Sequence, residues 1–168
     1  MSGPERRHLT RGRDLLGLGG FVAVCAAVSG LGGAVTATSV DTWYQALEKP
    51  AFNPPDWLFP IVWTILYVMI AIAGWRVWRR APIDVTRRAL AVFAVQLGLN
   101  LGWSFLFFGL QQIGIALAEI VVLFLAIAAN AVLFWRIDRW AGTLLVPYLV
   151  WVAYATVLNA ALWLLNPG

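Results

Sequence analysis

The sequence predicts an all-α membrane protein, a bundle of five transmembrane helices with its N-terminus inside and its C-terminus outside. Three observations predict this. Of the 168 residues, 61% are apolar and only 12% are charged, more apolar surface than a water-soluble chain of this size can hide. The apolar residues fall into five stretches, each close to the roughly 20 residues that a helix needs to cross about 30 Å of hydrocarbon. Finally, the arginines gather at alternate ends of these stretches, as basic residues in short cytoplasmic loops do.

In chain order, a basic tail, 1–14, precedes a single transmembrane domain, 15–168. The first helix is read at about 15–38. Its end, AVTATS, resembles a signal-peptidase site, but the apolar run before it is longer than a signal h-region, so the stretch is read as a membrane span. A long connection, 39–56, follows, in which Pro50, Pro54 and Pro55 exclude regular helix. Trp43, Tyr44, Phe52, Trp57 and Phe59 weight this region toward apolar surface. It is expected to fold back over the bundle, either as a lid or as an interfacial anchor. The second helix is read at about 57–78 and the third at about 88–110, joined by the short basic segment RRAPIDVTRR. The fourth, about 113–135, and the fifth, about 141–164, follow connections so tight that helices three, four and five must be antiparallel neighbours.

Orientation follows from charge. Arg6, Arg7, Arg11 and Arg13, then Arg76, Arg79, Arg80, Arg87 and Arg88, then Arg136 and Arg139 mark one side, and the other carries only Lys49. This clustering forms no continuous basic stripe, which argues against nucleic acid as a partner. The single cysteine, Cys25, excludes an intrachain disulfide and is expected to be a packed thiol. The single histidine, His8, lies in the tail, and no group of residues has metal-ligand spacing, so no metal site is expected.

Ten tryptophans are the strongest compositional signal. Trp75, Trp78, Trp135 and Trp140 at one boundary and Trp43, Trp57 and Trp163 at the other suit the aromatic belts of a membrane protein. Trp63, Trp103 and Trp151 lie within helices and are either pocket walls or ordinary packing. At about 100° per residue, Gln96, Asn100, Trp103 and Phe107 share one narrow face of helix three. Lipid gives amides no partners, so that face must turn inward. Ala94, Gly98 and Gly102 lie opposite, a small-residue stripe that suits either homodimerisation or close packing within the monomer. Helix two carries Trp63 and Tyr67 on one stripe, and helix five brings Tyr148, Trp151 and Ala155 close together. With Asn159 nearby, these faces suit an aromatic cavity for a large, flat, mostly apolar ligand. Glu119, the one acid well inside the apolar part of a helix, is either a functional intramembrane acid or, as favoured, one that reaches the outer interface, and Asp138, between two arginines, is expected to be a solvated surface charge.

The segments WYQALEKPAFNPPDWLFPIVWTILY, QLGLNLGWSFLFFG and VPYLVWVAYATVLN closely resemble the translocator protein family, also called tryptophan-rich sensory proteins or peripheral-type benzodiazepine receptors. The likeness runs from about Trp43 to Asn159. It implies a five-helix bundle, often dimeric, that binds porphyrins, sterols or other lipids, and synthetic ligands beneath the first loop. It also implies that Trp63 and Trp151 face a porphyrin such as protoporphyrin IX or haem, with Phe59, Tyr67, Asn100 and Ala155 completing the walls. The sterol-recognition pattern of animal members needs a tyrosine and then a basic residue, where this chain has Ala160 and Leu164.

The leading expectation is therefore a receptor or binding protein for tetrapyrroles, with a role in their transport, regulation or stress signalling. No cofactor is required, and the porphyrin is a ligand. The candidate ligand-binding set is Trp43, Phe59, Trp63, Tyr67, Gln96, Asn100, Trp103, Phe107, Tyr148, Trp151 and Ala155. No hydrolytic or transfer constellation is present, so the enzymatic alternative is light-dependent oxidative porphyrin breakdown beside Trp63 and Trp151. Transport is the third reading, although no inverted repeat of the transporter kind is visible. A bacterial cell membrane or outer membrane is the expected location.

Overall fold

The computed structural model describes residues 11–167. Arg6, Arg7 and His8 lie outside the described residues. Among the described residues, five helical segments are long and apolar enough to cross a membrane: Arg11–Ala37, Leu58–Arg80, Ile83–Gly109, Ile113–Ile137 and Arg139–Leu165. Within them the regular elements are α1 (Arg11–Ala37), α3 (Leu58–Arg80), α4 (Ile83–Ser104), α5 (Ile113–Ile137), α6 (Arg139–Leu144) and α7 (Val146–Leu165). A single-turn helix, α2 (Trp43–Ala46), lies in the first connection, ahead of the prolines that forbid helix there.

Two breaks interrupt the spans. The third ends in a π-helical turn, Phe105–Gly109, closed by Leu110 N–H donating to the Phe105 carbonyl at 2.8 Å. Gln111 then takes a left-handed φ of 57° to reverse the chain into α5. The fifth span, expected to be continuous, is divided at Leu145. Pro147 in the first turn of α7 supplies no N–H and crowds the preceding turn, so the ladder cannot run unbroken from α6.

α4 packs on α5 and α5 on α7, as their short connections require. α1 packs mainly on α3, and also on α4. α3 meets the fifth span chiefly through α6, at the arginine-rich end, and touches α7 far less. The helices are therefore tight at the arginine end and splayed at the end carrying the first connection, called here the loop end.

The arginine end is closed by Asp138. This residue is buried, which corrects the expectation of a solvated charge. Its carboxylate accepts from Arg76 Nε at 2.9 Å, from Arg80 Nε at 3.2 Å and from the backbone N–H of Trp140 at 3.0 Å. It thus caps α6 and draws two guanidinium groups of α3 onto the α5–α6 corner. Gly142 lets that corner close, since a Cβ there would lie 2.8 Å from the Trp135 Cα. Backbone at that distance has no room to give. The apolar core continues inward from the corner through Val77, Phe134, Ile127 and Ile70. Cys25 is buried in it.

Candidate functional site

At the loop end the splayed helices enclose a cavity of about 460 Å³, within the range of about 300–1,000 Å³ usual for small-molecule sites. Phe59, Trp63 and Tyr67 of α3 form one wall, and Trp151, Ala155 and Asn159 of α7 another. Asn100 and Trp103 of α4 and Phe107 of the π turn form a third. The extra residue in the π turn alters the helical register, so Phe107 and its neighbour Phe108 both line the space. α1 supplies a wall of small residues, Ser29, Gly32, Gly33 and Thr36.

The floor is a hydrogen-bonded triad. Tyr67 O–H donates to Asn100 Oδ1 at 2.6 Å, and Asn100 Nδ2 donates to Tyr148 Oη at 2.8 Å. All three side chains are buried, so one amide joins α3, α4 and α7 at a depth where lipid gives it no partner. A second amide works in the same way nearer the loop. Trp103 Nε1 donates to Asn159 Oδ1 at 3.0 Å, and Asn159 Nδ2 donates to the Ile113 carbonyl at 3.0 Å. The Trp103 indole is thereby held parallel to Phe107, with ring centroids 5.0 Å apart. Trp63 packs against Tyr67 and Tyr148, and Trp151 against Phe59 and Tyr154. The walls are thus rigid aromatic surfaces anchored by two amides.

The first connection covers this chamber. Val40, Asp41, Tyr44 and Asp56 line it from above. Ser39 Oγ donates to the Phe108 carbonyl at 2.8 Å, Tyr154 O–H to the Phe52 carbonyl at 2.6 Å, and Glu48 N–H to Asn166 Oδ1 at 2.9 Å. Tyr44 is buried and donates to Asn53 Oδ1 at 2.8 Å. Burial, and after it the charge of Asp56, push its phenol up to about 12, so it stays a donor throughout the neutral range. These ties give the connection the form of a lid, although it contributes an interfacial aromatic as well, the exposed Trp57.

Of the residues singled out from sequence, Phe59, Trp63, Tyr67, Asn100, Trp103, Phe107, Trp151 and Ala155 border the cavity. Three do not. Tyr148 is the fully buried far member of the floor triad, and Trp43 sits on the lid with its ring edge against Phe107. Gln96 is buried one turn from Asn100, and its amide has no hydrogen-bonding partner among the described residues. Ala94 and Gly98 are exposed on the opposite face of α4, whereas Gly102 is half-buried. Glu119 does not extend to the interface. Both its carboxylate oxygens are buried without a partner among the described residues, and one lies 3.8 Å from where a Gly102 Cβ would be. Sequence reading missed the whole α1 wall and the two acids, Asp41 and Asp56, that line the cavity from above. The i, i+3, i+7 spacing of Ser29, Gly32 and Thr36 was the available signal for the former. Among the described residues no group of three or more His, Cys, Asp or Glu side chains is arranged to hold a metal.

The TspO/MBR family model matches residues 21–164. The chain belongs to the TspO/MBR family. It is 41% identical over 159 residues to the tryptophan-rich protein TspO of Chlorobaculum tepidum, covering 92% of this chain and 99% of that one. It is 41% identical to the tryptophan-rich sensory protein of Cereibacter sphaeroides, over 87% of this chain and 89% of the relative. The human translocator protein is 36% identical over 75% of this chain and 76% of its own length. Family membership and the five apolar spans together make this a multi-pass integral membrane protein.

The floor triad predicts a specific pattern of energetic coupling. Tyr67→Phe removes the donor to Asn100 and is expected to cost about 0.5–2 kcal/mol of stability. Asn100→Leu, which strands both phenols, is expected to cost more, and the Tyr67→Phe/Asn100→Leu pair less than the sum of the two. Unfolding of purified protein in detergent measures this, and additive losses would mean that the three side chains do not act as a unit.

Proposed function

We propose that this protein binds a porphyrin or a similar flat tetrapyrrole in the cavity at the loop end, and that occupancy serves tetrapyrrole transport, regulation or stress signalling. The observation that carries this reading is the convergence of Trp63, Trp103 and Trp151 on one enclosed space above a buried amide floor. A flat aromatic ring fits rigid indole walls by stacking and edge contact, each worth about 0.5–1.5 kcal/mol beyond area burial. The indole of Trp103 is committed to Asn159. Trp63 and Trp151 therefore form the exchangeable faces against which a ligand would lie.

In this reading the arginine-rich end lies on the cytoplasmic side and the loop end outside, because basic residues in short connections are retained within. The ligand would enter from the loop end or from the outer leaflet. The second reading, photo-oxidative porphyrin breakdown, draws on the same two indoles, which would lie beside the macrocycle. Illumination of the bound complex distinguishes it, since breakdown gives a product that Trp63→Phe together with Trp151→Phe abolishes, whereas a protein that only binds gives no more product than free tryptophan in detergent.

A homodimer through α4 is part of the proposal. Ala94 and Gly98 present a small, exposed surface, and a Cβ at Gly98 meets nothing within 4 Å among the described residues. A neighbouring helix could approach closely along this stripe.

Two outcomes follow. Titration with protoporphyrin IX, followed by tryptophan quenching, is expected to show affinity weakened about tenfold or more by Trp63→Phe together with Trp151→Phe; unchanged affinity would remove the pocket assignment. Gly98→Leu fits the monomer and is expected to abolish crosslinking between copies, so crosslinking that survives it would place any dimer contact elsewhere.

A further inference from the structure

The aromatic chamber has an acidic mouth. Asp41 and Asp56 are exposed and border the cavity, and among its described lining residues there is no lysine, arginine or histidine. Asp56 is held in place, its Oδ2 accepting from Gln45 Nε2 at 2.6 Å. Neither carboxylate takes part in an ion pair within the described residues; the ion pairs there involve Asp14 and Asp138, at the arginine end. Between Ala37 and Arg76 the sequence holds one basic residue, Lys49. Its ammonium lies over the Tyr44 ring, 4.8 Å from the centroid, and donates to the Gln45 carbonyl at 3.3 Å. It is not among the residues lining the cavity. Glu48, beside it, adds a further acid to this end of the molecule.

A ligand seated among Trp63, Trp103 and Trp151 must leave its polar periphery at this mouth. Carboxylates there would face two fixed charges of like sign, whereas an ammonium would meet charges of opposite sign above electron-rich ring faces. We propose that Asp41 and Asp56 set the ligand class of this cavity, favouring flat aromatic molecules with an ammonium-bearing periphery over otherwise equal molecules bearing carboxylates. The proposal rests on the cavity being the binding site and specifies what that site selects. It implies that a free-acid porphyrin is not the best ligand of its own ring size. It also implies that binding of a cationic ligand weakens with added salt, because the mouth is open to solvent.

Three probes with one macrocycle test this: protoporphyrin IX, its neutral dimethyl ester, and its diamide carrying two terminal ammonium groups. Each is titrated into the full chain in nanodiscs of zwitterionic lipid, with wild type compared against Asp41→Asn/Asp56→Asn. Asparagine at position 56 keeps an acceptor for Gln45, which preserves the fold of the lid. Dividing each affinity by that of the ester removes the ring's own contribution, and comparing proteins cancels partition into lipid. The ammonium-to-ester ratio is expected to fall about three- to tenfold in the double variant, and the acid-to-ester ratio to rise by a similar factor, as suits two solvent-exposed charges. Both changes should shrink between low and high salt. Ratios that do not move, or that move equally for acid and ammonium, overturn the proposal while leaving the cavity assignment intact if the ester still binds. Failure of the ester to bind the wild type overturns both.

Discussion

Hydrocarbon offers no hydrogen bonds, and the architecture of this protein depends on how three buried asparagines, Asn100, Asn130 and Asn159, bond to neighbouring helices. Asn100 accepts a hydrogen bond from Tyr67 and donates one to Tyr148, so three helices meet at one side chain. Asn159 joins Trp103 to the start of α5, and Asn130 of α5 donates to the Ala89 carbonyl of α4 at 3.0 Å. Each contact is modest by the measure of membrane proteins, where such bonds average well under 1 kcal/mol. Their larger effect is on geometry: a satisfied amide admits one arrangement of its neighbours, and apolar packing alone admits many.

That geometry explains why a cavity exists where the helices could otherwise have collapsed together. At the arginine end, Asp138 and Gly142 draw α3, α5 and α6 into contact. At the loop end, α3 leaves α7, the amide floor sets the depth of the opening, and the lid is tied to the π turn and to α7 by its own hydrogen bonds. The small residues of α1 complete the enclosure without filling it. The chamber is therefore a consequence of unequal closure at the two ends of the bundle. It is lined by aromatic rings in depth and carboxylates at the mouth.

Much of this was legible in the sequence because membrane physics constrains pattern so strongly. Helix positions followed from apolar length, and the inward face of the third span from the spacing of Gln96, Asn100, Trp103 and Phe107. Inward direction, however, does not distinguish a cavity wall from the packing behind it. Gln96 lies beneath the floor and Tyr148 at its buried far side, a matter of depth that helical periodicity cannot convey. The α1 wall was missed because glycine, serine and threonine contribute an absence of bulk, which reads as ordinary span composition. Asp138 was misjudged because its partners, Arg76 and Arg80, lie far away in sequence and reach it only when α3 returns to the α5–α6 corner. Glu119 shows the same limit, since its carboxyl turns toward Gly102 on a neighbouring helix and not along its own.

The central claim is that the aromatic and amide faces enclose a chamber from which lipid is excluded, and neighbouring positions on α7 test it directly. A bimane fluorophore placed at position 155 should be shielded from lipids with brominated acyl chains, while one at position 157, where Val157 is 59% exposed, should be strongly quenched. A Cys25→Ser background keeps the labelling specific. Equal quenching at the two positions would mean that acyl chains reach the supposed interior, and the chamber would have to be abandoned.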